Sequence, residues 1–140
     1  MKQLTNIIVI LCVFVSLSWC RAAEVVLIAN KEVSTNSLET RTLKRIYLGL
    51  HTRWSDNQKI VPVMLDGGET HEAFVKEMLN KTVSKFVIYW KQALFSGRGV
   101  PPKSFSNEKE LIKFVASTPG AMGYISGNTV PVNVKILSLE

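Results

Sequence analysis

The sequence predicts an α/β domain of three layers, a mixed sheet flanked by helices. Three observations carry this. Short β-rich apolar runs and amphipathic helical stretches follow one another in the order β-α-β-α-α-α-β-β. Hydrophobic residues make up 46% and charged residues 20%, a folding composition that excludes disorder, collagen-like sequence and a disulfide scaffold. The 140 residues suit one domain, and no repeat or low-complexity tract divides them.

The first 22 residues read as a secretory signal peptide. Lys2 supplies a positive start, and Ile7–Trp19 is a 13-residue run without a charge. That is well short of the roughly 20 apolar residues a bilayer span needs. Cleavage after Ala22 would put Cys20 and Ala22, both small, at the −3 and −1 positions. The remaining domain, 23–140, would contain neither cysteine, because Cys12 and Cys20 both lie in the leader. It would then have no disulfide, no thiol nucleophile and no membrane span. Of 17 basic residues, Lys2 and Arg21 leave with the leader, so 15 face 11 acidic ones and the net charge falls from +6 to +4. A mildly basic chain favours an anionic ligand or partner, but without basic-aromatic alternation it does not read as a nucleic-acid binder.

Val25–Ala29 is a continuous apolar run, the pattern of a strand buried on both faces in a parallel sheet. Ser34–Ser37 is a cluster of helix-capping residues, and Leu43, Ile46, Tyr47 and Leu50 then mark a helix over about 38–49, ended by Gly49. Arg41, Lys44 and Arg45 form a second face, either solvated or an anionic docking patch. Ile60–Leu65 is the next strand, with Pro62 asking for a strand start or an edge. Asp66-Gly67-Gly68 turns into a helix over Glu69–Leu79. Thr82 caps a third helix, whose stripe Phe86, Val87, Trp90, Ala93 and Leu94 reads as core. Phe95–Pro102 is a breaker-rich loop. Ser106 or Asn107 caps a helix carrying Leu111, Ile112, Phe114 and Val115, stopped by Thr118-Pro119-Gly120. Ala121–Ile125 is a small-residue strand whose Gly123 suggests tight packing, and Val130–Leu139 alternates as a final edge strand with Val132, Val134 and Ile136 on one side.

No nucleophile elbow, Walker sequence, dinucleotide fingerprint or zincin motif is present, so the chain does not read as an enzyme and no cofactor is implied. Asp66, Glu69, His71 and Glu72 are close in sequence, but on a helix His71 points away from the two glutamates, so no metal site is expected. Two glycine-bearing turns are the candidate sites. Asp66-Gly67-Gly68-Glu69-Thr70 hands a strand to a helix, where free N–H groups can hold an anion or simply make a capped turn. In Gly97-Arg98-Gly99 a fixed cation and bare backbone could meet the same ligand, or form an ordinary loop.

Taken together, several stretches resemble the periplasmic phosphate-binding proteins of ABC transporters. They are Leu43-x-x-Ile46-Tyr47-Leu48-Gly49, Trp54-Ser55-Asp56, Ile60–Val63, Asp66-Gly67-x-x-Thr70-x-x-x-Phe74 and Thr118–Ile125. Leu94–Gly99 and Pro101-Pro102 resemble the short, single-domain PBP-like proteins in particular. The resemblance covers roughly residues 25–126. It implies a type II periplasmic binding-protein fold reduced to one lobe, a periplasmic location and no enzymatic activity. The family's turn resembles Arg-x-Asp-Gly-Ser-Gly-Thr, whose Arg, Ser, second Gly and Thr contact phosphate. Here those four positions are Met64, Gly68, Glu69 and Thr70, while Asp66 and Gly67 match. The expected anion site is therefore Asp66, Gly67, Gly68 and Thr70 with Arg98 and Gly99, weakened by losing the arginine and gaining a carboxylate. Two functions stay open. One is an exported module that binds a small anion weakly or engages an envelope protein. The other is a phosphate or oxyanion receptor accessory to an ABC-type transport system.

Overall fold

The computed structural model describes residues 23–140. The leader 1–22 lies outside the described residues. The elements are β1 (Val25–Ala29), β2 (Ser37–Leu38), α1 (Thr40–Tyr47), β3 (Val61–Leu65), α2 (Glu69–Ala73), α3 (Val83–Phe95), β4 (Lys103–Phe105), α4 (Glu108–Ser117), β5 (Ala121–Ser126) and β6 (Lys135–Leu139). A π-helical turn, Phe74–Met78, continues α2. The six strands form one mixed sheet in the order β2-β6-β1-β5-β3-β4.

The three layers can be read from β5. Gly123 faces α4, and a Cβ on it would stand 2.9 Å from Leu111 and 3.0 Å from Val63. Its neighbour Tyr124 faces the other way, stacked on Phe74 of the π-turn at 3.8 Å between ring centroids. Tyr47 of α1 meets Phe74 edge-on at 4.7 Å and donates its hydroxyl to the Val63 carbonyl at 2.9 Å. Helices therefore cover both faces, as the sequence predicts.

Several elements differ from their sequence reading, each for a physical reason. β1 is buried but antiparallel to both neighbours, β5 and β6. A continuous apolar run reports burial on two faces, not strand direction. The Ser34–Ser37 cluster does not cap α1, whose N-cap is Glu39 without a side-chain bond. Instead Thr35 Oγ1 donates to the Ser37 carbonyl at 2.8 Å and leads into β2. Pro62 sits in an interior strand, but as its second residue. Pairing with β4 begins only at Val63, so the missing N–H costs no ladder bond on that side.

The helix expected over Glu69–Leu79 is continuous in extent but widens at Phe74, where the Leu79 N–H bonds the Phe74 carbonyl at 3.2 Å. On an α-helix two residues five apart stand about 140° apart; the wider turn brings Phe74 and Leu79, both buried, to one side. On α3, Phe86, Trp90 and Ala93 are buried, whereas Val87 is 42% and Leu94 53% exposed. β4 follows the breaker-rich loop, in residues to which the sequence reading gives no element. It is a three-residue edge strand, too short to show a period. The last strand begins at Lys135, and β2 covers its outer side, so it is not the edge. Its phase is also opposite to expectation: Leu137 is buried and Ile136 exposed.

One buried polar group holds two layers together. The Asn30 amide donates to the Val115 and Ala116 carbonyls at 2.9 and 3.1 Å, satisfying the last turn of α4.

Candidate functional site

β3 delivers the chain to Asp66, whose N–H bonds the Phe105 carbonyl of β4 at 2.9 Å. Gly68 then takes φ +90° as the N-cap of α2, with open space where a Cβ would be. The glycine is needed for the backbone conformation, not for room. No side chain caps α2, so its first N–H groups stay available, while Glu69 and Glu72 place negative charge in the first turn.

β5 lies beside β3 and runs parallel to it, and β1 pairs antiparallel with Val25 opposite Ser126. The end of β3, the end of β5 and the start of β1 therefore share one edge of the sheet. A pocket of about 260 Å3 opens there, lined by Ala23, Glu24, Glu69, Thr70, Ser126, Gly127 and Asn128. Crevices at the carboxyl ends of strands are where open α/β sheets hold ligands.

The expected site residues are not gathered into this one place. Thr70 lines the strand-end pocket. Asp66 lines a different cleft, against α3, together with Met64, the residue at the family's arginine position. Gly67 and Gly68 form the turn between and line neither. Arg98 and Gly99 line a third pocket with Leu48, Gly49 and Tyr89. There the Arg98 guanidinium donates to Ser96 Oγ at 2.9 Å, and Gly99 packs against the Trp90 ring. Arg98 and Gly99 thus lie at the flank of Trp90 and share no pocket with the Asp66–Thr70 turn.

The charge in the strand-end pocket is negative. Glu24 and Glu69 both line it, and neither lysine nor arginine does. Part of its backbone is already engaged. Glu108 accepts the Ser126 N–H at 2.8 Å and the Thr129 hydroxyl, and the Gly127 N–H bonds the Glu24 carbonyl at 2.9 Å. Among the described residues no group of three His, Cys, Asp or Glu side chains is placed to hold a metal.

Beneath the turn lies a buried network that sequence reasoning did not find. The Tyr124 hydroxyl accepts the Leu65 N–H at 3.1 Å and lies 2.5 Å from His71 Nδ1. When its own proton goes to Nδ1, the neutral ring carries its proton on Nε2. Burial lowers the His71 pKa below its ordinary value, against the opposing pull of Asp66 and Glu72. Burial raises the Tyr124 and Tyr47 hydroxyls, and Tyr124 adds to the shift at Tyr47. The available signal was spacing: His71, Phe74 and Val75 share a helical face, which puts the histidine on the core side.

The fold is shared with solved phosphate receptors. The crystal structure of an ABC-type phosphate transport receptor from Vibrio cholerae superposes with a TM-score of 0.64 at 16% identity, covering 84% of this chain and 46% of that one. PstS from Borrelia burgdorferi gives 0.62 at 16% identity, covering 84% and 47%. The chain thus spans less than half the length of the structures it matches. No protein-family model matches the sequence. No curated protein matches it either. What the geometry and these likenesses define is a single lobe of periplasmic binding-protein-like fold.

Proposed function

We propose that the chain is an exported, non-enzymatic binding module of the cell envelope that keeps the fold of a phosphate receptor lobe without its affinity for phosphate. One observation carries this: the pocket at the ends of β3 and β5 is lined by two carboxylates and no cation. A phosphate dianion entering it meets like charge, at a cost of about 1–4 kcal/mol per carboxylate at a few ångströms. The Arg98 guanidinium does not offset this, because it is bound elsewhere, beside Ser96. The open N–H groups at Gly68–Thr70 support weak binding of a small anion, in the millimolar range. Export rests on the leader read over residues 1–22; no helix among residues 23–140 is long and apolar enough to cross a membrane. Equilibrium dialysis against inorganic phosphate tests the reading. Millimolar or no binding is expected. Micromolar binding that Thr70→Val abolishes would make the chain a phosphate receptor and overturn it.

A further inference from the structure

The large apolar side chains of α3 divide between two faces. Phe86 and Trp90 are buried with Ala93. At about 100° per residue, Val87, Ile88, Leu94 and Phe95 fall on a separate arc of about 120° centred on Lys91. These four are 42, 51, 53 and 88% exposed. A helix at the surface of a globular chain ordinarily carries polar residues on that arc. The patch continues off the helix. The Gly97 and Arg98 N–H groups bond the Leu94 and Ala93 carbonyls at 3.2 and 2.9 Å, folding the next loop back on the end of α3. That loop brings Arg98 and Val100, 76% exposed, into one pocket with Leu50, 61% exposed, which follows α1. The Tyr89 hydroxyl donates to the Leu48 carbonyl at 2.6 Å and ties the two segments together. Arg45 reaches the same corner, its guanidinium donating to the Leu50 carbonyl at 3.4 Å. Charge is segregated here too. Residues 40–55 and 78–107, which supply every residue of this corner, hold nine of the 15 basic residues of 23–140 and none of its 11 acidic ones. Neither segment therefore repels an anionic partner.

We propose that this corner docks the protein on an anionic lipid bilayer. Leu50, Leu94, Phe95 and Val100 enter the boundary between headgroups and acyl chains, and Arg45, Lys91 and Arg98 meet lipid phosphates. The surface shares no residue with the strand-end pocket and adds to the function proposed above. Both of its components fit this occupant. Hydrocarbon side chains flanked by cations match an apolar layer beneath a negative headgroup plane. The Arg98 bond to Ser96 uses Nε, which leaves the terminal nitrogens to grip a phosphodiester. Phe95, the most exposed of the large apolar residues, stands at the helix end. A bilayer closes around such a protrusion, whereas a folded protein would need a pocket to match it.

Vesicle co-sedimentation tests this on residues 23–140, the lobe that holds the whole core cluster, so the outcome does not depend on how the leader is processed. The chain should bind vesicles of equal parts phosphatidylglycerol and phosphatidylcholine, and high salt should release it. Pure phosphatidylcholine vesicles should bind it at least about tenfold more weakly. Phe95→Ser, at an exposed position, should weaken binding to the anionic vesicles about tenfold without changing the thermal midpoint. Lys91→Gln/Arg98→Gln should weaken it about 25-fold, about fivefold per cation. Lys109→Gln/Lys113→Gln makes the same charge change on α4, across the sheet from α1, and should bind as the parent does. Equal binding to neutral vesicles, parent-like binding by Phe95→Ser, or equal losses in the two double variants would overturn the proposal. So would no binding to the anionic vesicles, which would give the face to an acidic protein. Sedimentation that needs no lipid would also overturn it and give the face to a second copy.

Discussion

Tyr124 is where the sheet, the turn and the aromatic cluster meet. Its ring stacks on Phe74, and its hydroxyl ties the Leu65 N–H to His71. Protonating His71 at Nδ1 would leave the tyrosine hydroxyl proton without a partner in a buried place. The folded pKa of His71 is lowered, so below the unfolded value of about 6.5 the unfolded chain binds the proton more readily. This residue's contribution is intact above that value and is lost as pH falls toward the folded pKa. Urea melts at pH 7.5 and 5.5 should show a stability loss that His71→Asn reduces, since its amide oxygen can accept from Tyr124 at both pH values. An identical loss in the variant would place the sensitivity elsewhere. A second residue-scale test is Gly120→Ala. Gly120 has φ +77°, and a Cβ would stand 2.2 Å from the Lys59 carbonyl oxygen. Left-handed strain and overpacking together should cost about 2–5 kcal/mol, read by chemical denaturation.

Among the elements, α3 shows how much was legible and where reading stopped. The i, i+4, i+7 spacing of Phe86, Trp90 and Ala93 identifies the buried side, and Thr82 caps the helix as expected, accepting from the Lys85 N–H at 3.2 Å. The stripe is wider than the face that is covered. Nothing local tells that Val87 and Leu94 stay exposed, because coverage is a tertiary property. Trp90→Ala should therefore cost roughly 3–5 kcal/mol, whereas Leu94→Ala should cost under about 1 kcal/mol. Equal losses in thermal melts would contradict the exposed position of Leu94. β6 illustrates a different limit. Val132, Val134 and Ile136 alternate convincingly, yet the ladder starts at Lys135 and buries Leu137, because β1 sets the register through Leu27 and Ala29. The turn Asp66–Thr70 was legible from its glycines and its place between a strand and a helix. Its charged surroundings were not, since Glu24 and Ser126 reach it from distant parts of the sequence.

At the scale of the whole molecule, six strands and four α-helices among the described residues make one lobe whose strand-end crevice is open and negative. The proposal of export predicts that mass spectrometry of a periplasmic extract finds the chain beginning at Ala23, and an intact Met1 in the membrane fraction would refute it. The central claim is that Glu24 and Glu69 keep phosphate out of a crevice otherwise shaped for an anion. It is tested most directly by calorimetric titration with phosphate at low salt of the parent, Glu69→Gln and the Glu24→Gln/Glu69→Gln double variant. Affinity should rise at each step by about fivefold, roughly 1 kcal/mol for each exposed like charge removed, and the gain should shrink at high salt. Unchanged affinity across the three proteins, or micromolar binding by the parent, would contradict the account.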